Sequence, residues 1–380
     1  LDADAACDDA RVGLGLALFL GHAYDMRIFM ATGFLVGTGQ NPYIAQDLSG
    51  VFHNITFQGI TSFGYLPPWS MLLGLIYLGT YKLVPSFLLY NLAIKVPVIA
   101  ANIGLAYLVA HVLRKAGALE STARKAWIFL LFNPFLLITS SAWGQFDSVV
   151  ALLSLLSLYL LSQEKSAGPA ILLALAVSLK PIALPLIPVV LVYLTGRSIK
   201  GTLQYFAVFS ASMFLFCLVP FLLFGWDPTV IFQHWDAHFT VGGGLAFLTF
   251  LEILKQSYQL PGNWWLLGWL WVPALAIATF MLKPGIGGLR DLLKKSLALI
   301  LVFYLCRGWL SEPNVILVLP LVLILTCLDE IKPFFLTAIW CLPLILLLAA
   351  RAGWSAALYY LDHKVSYVEP VFVVVIMAIA

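Results

Sequence analysis

The chain has 380 residues, 62% of them hydrophobic and 10% charged, with a mean hydropathy of +0.98 and a formal charge of +3. Soluble domains average roughly 45–50% apolar and about 25% charged residues, so a soluble fold is excluded. A charge this close to zero also gives no electrostatic footing for nucleic acid.

Apolar stretches of about 20 residues, enough to cross a hydrocarbon core of roughly 30 Å, recur along the sequence with short polar joints between them. They do not alternate in the roughly ten-residue units of a barrel, so helices are expected to satisfy the backbone inside lipid. The expected fold is all-α, a polytopic transmembrane helix bundle of about 10–13 spans, in a single domain over residues 1–380. The acidic start (Asp2, Asp4, Asp8, Asp9) is the opposite of the basic start of a cleavable signal, and none is expected. Cys7, Cys217, Cys306, Cys327 and Cys341 form no CxxC pair and read as packing residues.

In chain order, a short first span is expected at residues 11–21, followed by a first outer loop at 22–66. Further spans are expected at 86–112, 126–142, 147–162, 168–180, 182–196, 202–224, 264–282, 296–310, 314–328, 333–350 and 366–380. Four joints are basic: 114–125, Lys165, 197–200 and 283–295. The positive-inside rule places them on the cytoplasmic face. Residues 67–84 are apolar, yet both their ends then face outward, so a re-entrant or interfacial helix is expected there. The stretch 245–260, inside a second large outer loop at 226–263, is read the same way because of Glu252 and Lys255.

This threading gathers the unusual polar residues on the outer face. Asp25 follows the first span, either as a base tuned by partial desolvation or as a solvated partner of Arg27. Gly39-Gln40-Asn41-Pro42-Tyr43 is a turn-forming cluster, and Tyr65-Leu66-Pro67-Pro68-Trp69 opens a helix among interfacial aromatics. Asn133-Pro134 lies inside a span that ends in Trp143-Gly144-Gln145-Phe146-Asp147-Ser148. Polar groups at that depth are costly unless used, although Asp147 equally suits a helix cap. Ser178-Leu179-Lys180-Pro181 puts a lysine at a broken helix, where an anion such as phosphate is its natural partner. His234, Asp236 and His238 are spaced too loosely for a metal site to be expected. Arg307 and Glu312, beside Ser311-Glu312-Pro313-Asn314, either pair with each other or hold a ligand.

Taken in order, these elements resemble the GT-C class of integral-membrane glycosyltransferases, and within it the mannosyltransferases related to the second GPI mannosyltransferase. The likeness rests on Asp25, Gly39 to Tyr43, Tyr65 to Pro68, Asn133-Pro134, Gly144 to Ser148, Leu179 to Pro181 and Ser311 to Asn314. It implies an inverting enzyme that moves mannose from a polyprenyl-phosphate or dolichyl-phosphate carrier to a glycan or lipid acceptor on the outer or luminal face. Asp25 would be the catalytic base and Lys180 would hold the donor phosphate. Gln145 and Asp147 would shape the pocket, with Arg27, Tyr43, His234 and Glu312 as further substrate-binding candidates. No cofactor is expected beyond the lipid-linked sugar donor, and the lone Asp25, without a second acid beside it, leaves divalent-metal dependence open. Membrane lipids are the other expected partners. The rival expectation is a secondary transporter or lipid flippase, whose charges sit on broken helices; a non-catalytic membrane scaffold is the third.

Overall fold

The structure is a computed structural model that describes residues 3–60, 63–164, 167–231, 243–259, 265–282, 287–349 and 354–356. Helix dominates. Among the described residues, strands amount to β1 (Leu20–His22) antiparallel to β4 (Trp354–Ala356), and β2 (Gly243–Gly244) parallel to β3 (Trp309–Leu310).

Helix α1 (Ala3–Phe19) begins well before the expected first span, and β1 links it to α2 (Ala23–Gly37). Helix α3 (Ser49–Phe52) is a single turn. Helix α4 (Pro67–Gly79) starts on the Pro67-Pro68 pair, the position where a missing N–H costs nothing. At 13 residues it is about 20 Å long, too short to cross a hydrocarbon core of roughly 30 Å. It packs instead on α2. A side chain at Gly33 would collide with Tyr90 and the Leu73 carbonyl, and one at Gly74 would collide with Val36, so glycine lets these helices close up.

Among the described residues, three helical stretches are long and apolar enough to cross a bilayer: Phe87–Lys115, Glu120–Ala142 and Ile199–Phe224. The first is α5, 29 residues capped by Ser86, whose side chain accepts from the Leu89 N–H, and closed by Arg114 and Lys115 against the negative end of the helix dipole. The second is α6 (Glu120–Leu131), then α7 (Pro134–Leu137), which runs into a π-helical segment at Ile138–Ala142. Between the two, Asn133 caps α7 by accepting from the Leu136 N–H at 3.1 Å, so Asn133-Pro134 serves as a helix restart. The third is α11 (Ile199–Met213), which continues to α12 (Val219–Phe224). Shorter apolar helices include α8 (Asp147–Ser162), α9 (Ala167–Leu179) and α10 (Leu186–Thr195). Beyond α12 come α13 (Phe247–Tyr258), α14 (Trp271–Met281), α15 (Leu289–Cys306), α16 (Leu319–Cys327) and α17 (Pro333–Ala349). The chain is an integral membrane protein, and the expected spans between 86 and 350 match these helices in position. Against the roughly 10–13 spans expected, however, only three described stretches are long enough to cross. Helix α13 exposes Phe247, Phe250, Ile253 and Tyr258. The expected span 366–380 lies outside the described residues, as does Lys165.

Among the described residues, the basic joints 114–125, 197–200 and 287–295 are neighbours in space. Arg290 donates to the Ala116 carbonyl at 3.1 Å, and Arg197 donates to Gly287 at 3.4 Å. Arg114 pairs with Glu120, and Lys294 and Arg290 pair with Glu330. One end of the bundle therefore collects the cations and their exposed partners, as the threading requires.

Asp9, ahead of the expected first span, is 1% exposed and its Oδ1 has no hydrogen-bond partner. Burial raises its carboxyl from the usual 3.8 to about 7. Between those values the folded chain holds a proton that the unfolded chain has lost, so stability falls as pH rises through this window. Thermal unfolding in detergent should show a melting temperature that drops from pH 5 to pH 8. Asp9→Asn should flatten that dependence and melt higher than the parent at pH 8; an unchanged pH profile would show that Asp9 is not buried in this way.

Candidate functional site

The helix breaks build the site. At the end of the π-helical segment the chain turns at Gly144, whose φ of +96° lies in the left-handed region. A side chain there would also run into the Met26 sulfur and the Lys95 stem. This turn puts Gln145 and Asp147 at the start of α8, where the helix dipole favours a carboxylate. A second break lies at Lys180, in extended conformation between α9 and the 3-10 turn Pro181–Ala183. A third is Ser311 to Asn314. There Ser311 and Asn314 cap each other at the start of the 3-10 stretch Glu312–Leu317.

These breaks meet, and their polar residues form one buried chain of hydrogen bonds. The Asp25 Oδ2 accepts from the Trp143 indole at 2.5 Å and from the Gln145 amide at 2.7 Å. The Gln145 Oε1 accepts from the Lys180 ammonium at 3.2 Å. Lys180 also donates to the Asp147 Oδ2 at 2.6 Å, and Asn314 donates to the other Asp147 oxygen at 2.9 Å. The side chain of Asp147 is fully buried and that of Lys180 is 6% exposed, whereas Asp25 keeps 19% exposure. Asp25 is therefore the solvent-facing end and Asp147 the dry end. Lys180 also lies over the rings of Tyr65 and Phe146, at 5.5 and 5.2 Å.

His22 flanks the wet end. Its ring stacks on Trp143 at 4.4 Å, and its Nδ1 accepts from the Asp25 N–H at 3.3 Å. Burial pushes its pKa down, Asp25 pulls it back up and Arg27 lowers it again, with burial the largest of the three. The imidazole is thus held neutral, with Nδ1 bare. Tyr65, buried and facing both aspartates, has its phenol pushed well above 10 and stays a donor.

Of the residues singled out in the sequence, Asp25, Gln145, Asp147 and Lys180 come together. Asp147 caps nothing; both its oxygens go to Lys180 and Asn314. Arg27 donates to the Ala23 and Thr56 carbonyls, at 2.7 and 2.5 Å, and so ties α2 to the loop after α3. Tyr43 is buried and stacks on Phe221 at 5.1 Å, a packing position. No ion pair joins Arg307 to Glu312, so that expected pairing is absent; burial raises the Glu312 pKa. His234, Asp236 and His238 lie outside the described residues. Among the described residues, no group of three His, Cys, Asp or Glu side chains is placed to hold a metal.

Sequence reasoning missed Trp143, Asn314 and Lys95 as polar anchors. Lys95 is wholly buried in α5 and donates to the carbonyls of Ala142 at 2.9 Å, Ala17 at 3.3 Å and Leu20. Asn91, one turn earlier, donates to Ala17 and Leu20 as well. A lysine and an asparagine four apart inside an apolar span were a legible signal, because polar groups at that depth are expensive.

The buried pair sets a stability expectation. Asp147→Asn leaves Lys180 buried without its carboxylate and should cost about 3–5 kcal/mol. Asp147→Asn combined with Lys180→Met should cost markedly less, read as thermal unfolding in detergent. Equal losses in the single and double variants would mean that the two charges are not coupled.

No curated protein matches the chain. A family model described as "Putative Na+/H+ antiporter" matches residues 311–380. That finding overturns the resemblance to GT-C mannosyltransferases and points to a cation antiporter family. Sugar transfer, an enzyme's role, the lipid-linked sugar donor and the glycan or lipid acceptor fall with it. The geometry gives a physical reason: Lys180 is already neutralised by Asp147, so it is not the free cation that a donor phosphate needs. Residues 311–380 of this chain, starting at the Ser311 that caps the third break, are similar to that antiporter family.

Proposed function

We propose that the chain is a secondary transporter that exchanges a monovalent cation such as Na+ for a proton. The observation that carries this reading is the hydrogen bond from Asn314 to Asp147. It ties the antiporter-like stretch directly to the deeply buried pair of Asp147 and Lys180. The setting supports it, since carboxylates and a lysine on interrupted helices are how transporters place charge inside a membrane.

The exchange follows from charge conservation. Asp147, dry and low in dielectric, needs one positive charge beside it at all times. In the state described here the Lys180 ammonium supplies it. A Na+ arriving past Asp25 would find oxygen ligands in the Asp147 carboxylate and the Gln145 Oε1, a set suited to a hard cation. Its arrival lets Lys180 give up a proton and leave as the neutral amine, so one cation replaces one proton at the same carboxylate. Gln145 links this step to Asp25, the solvent-facing relay. In this reading residues 1–380 act as one transport unit, and the site opens on the face opposite the basic joints.

Reconstitution into liposomes holding a pH-sensitive dye tests the proposal. Pulses of Na+ against an imposed pH gradient should change the internal pH with the wild-type chain. Asp147→Asn should abolish the response. Lys180→Ala should uncouple it, leaving Na+ uptake that moves no proton. A wild-type chain that moves protons identically with and without Na+, K+ or Li+ would refute the reading.

A further inference from the structure

Arg307 stands beside this cluster but takes no part in it. It follows α15 in extended conformation and is only 9% exposed. Its Nε and Nη1 are buried and make no hydrogen bond. The Phe303 ring lies 5.2 Å from its Cζ. Among the described residues no ion pair neutralises its charge, and the attraction it feels from Asp147 is one that Lys180 shares. The Asp147 oxygens are taken by Lys180 and Asn314, and the Tyr304 hydroxyl is spent on the Asn314 carbonyl at 2.5 Å. Glu312 forms no ion pair with it.

The backbone keeps this cation from turning out to water. Gly308, the next residue, accepts from the Gly243 N–H at 3.1 Å, and Leu310 accepts from Leu245 at 2.6 Å. These bonds belong to the β2–β3 pairing. Neither glycine of β2 could carry a side chain against Trp309 and Leu310, so the two segments lie in close contact. A buried guanidinium with two unsatisfied donor nitrogens costs several kcal/mol unless something accepts from it. Oxyanions match a guanidinium in both charge and donor geometry.

We propose that Arg307 anchors an oxyanion-binding subsite for a phosphate group, next to the Asp147–Lys180 pair and separate from it. The phosphate comes either from an anionic lipid headgroup or from free inorganic phosphate. Bound there, it would complete the hydrogen bonding of Nε and Nη1 and neutralise the guanidinium charge. The proposal does not depend on cation exchange, and its test reads binding rather than ion flux.

The full chain, purified in detergent, is titrated with inorganic phosphate at constant ionic strength, and in parallel placed in phosphatidylcholine vesicles with and without phosphatidylglycerol. Wild type should gain about 2–5 °C in melting temperature in at least one arm. A gain with inorganic phosphate identifies a soluble oxyanion; a gain only with phosphatidylglycerol identifies a headgroup. Arg307→Gln should lose the gain, and Arg307→Lys should need at least tenfold more phosphate or anionic lipid, because it keeps the charge but not the fork. Should Arg307→Gln fail to fold, Arg307→Lys carries the test alone. No gain for wild type in either arm, or an undiminished gain in the variants, overturns the proposal.

Discussion

Asp147 cannot be left alone. A carboxylate with no solvent contact must meet a positive charge and fill its lone pairs, and the structure brings three separate helix breaks together to do so. Lys180 comes from the break between α9 and α10, Asn314 from the start of the stretch before α16, and Gln145 from the turn that begins α8. Each break frees backbone groups that a continuous helix would have used; a capping box repairs the one at Ser311, whereas the helix starts after Phe146 and Lys180 have no side-chain cap. The irregular backbone lies where these polar side chains meet.

From Asp147 the network grades outward. Gln145 presents its oxygen to a cation and its amide to an anion, so it fits between Lys180 and Asp25 in one orientation only. Asp25 ends the chain under an indole and a neutral imidazole, with part of its surface in water. A wet carboxylate, a neutral amide and a dry ion pair thus follow one another in series.

Much of this was legible in the sequence. Helix positions followed from apolar length, and the clustering of basic joints followed from their spacing. The convergence of Asp25, Gln145, Asp147 and Lys180 was readable because membrane-edge polar groups are costly in isolation. The identity of their chemistry was not. The same aspartates, lysine and helix breaks suit a sugar-transfer site as well as a coupled ion site, and short motifs such as Leu179-Lys180-Pro181 do not separate the two. What set them apart was the similarity of residues 311–380 to an antiporter family model, with which the pairing of Lys180 to Asp147 agrees. Pairing across 33 residues of sequence leaves no local trace. Asn314 was hidden for the same reason, since its role depends on a partner 167 positions away. Tyr43 and Arg27 went the other way: polar and conspicuous as letters, they proved to be a packing ring and a backbone tie.

Lys95 adds one further constraint. Its side-chain nitrogen lies within hydrogen-bonding reach of three carbonyl oxygens, those of Ala17 and Leu20 around the end of α1 and that of Ala142 at the end of the π-helical segment. A lysine held this way needs no acidic partner, and it staples two helix ends to the middle of a third. The turn at Gly144 that presents Gln145 and Asp147 therefore starts from an anchored helix end, with the Lys95 stem close against it.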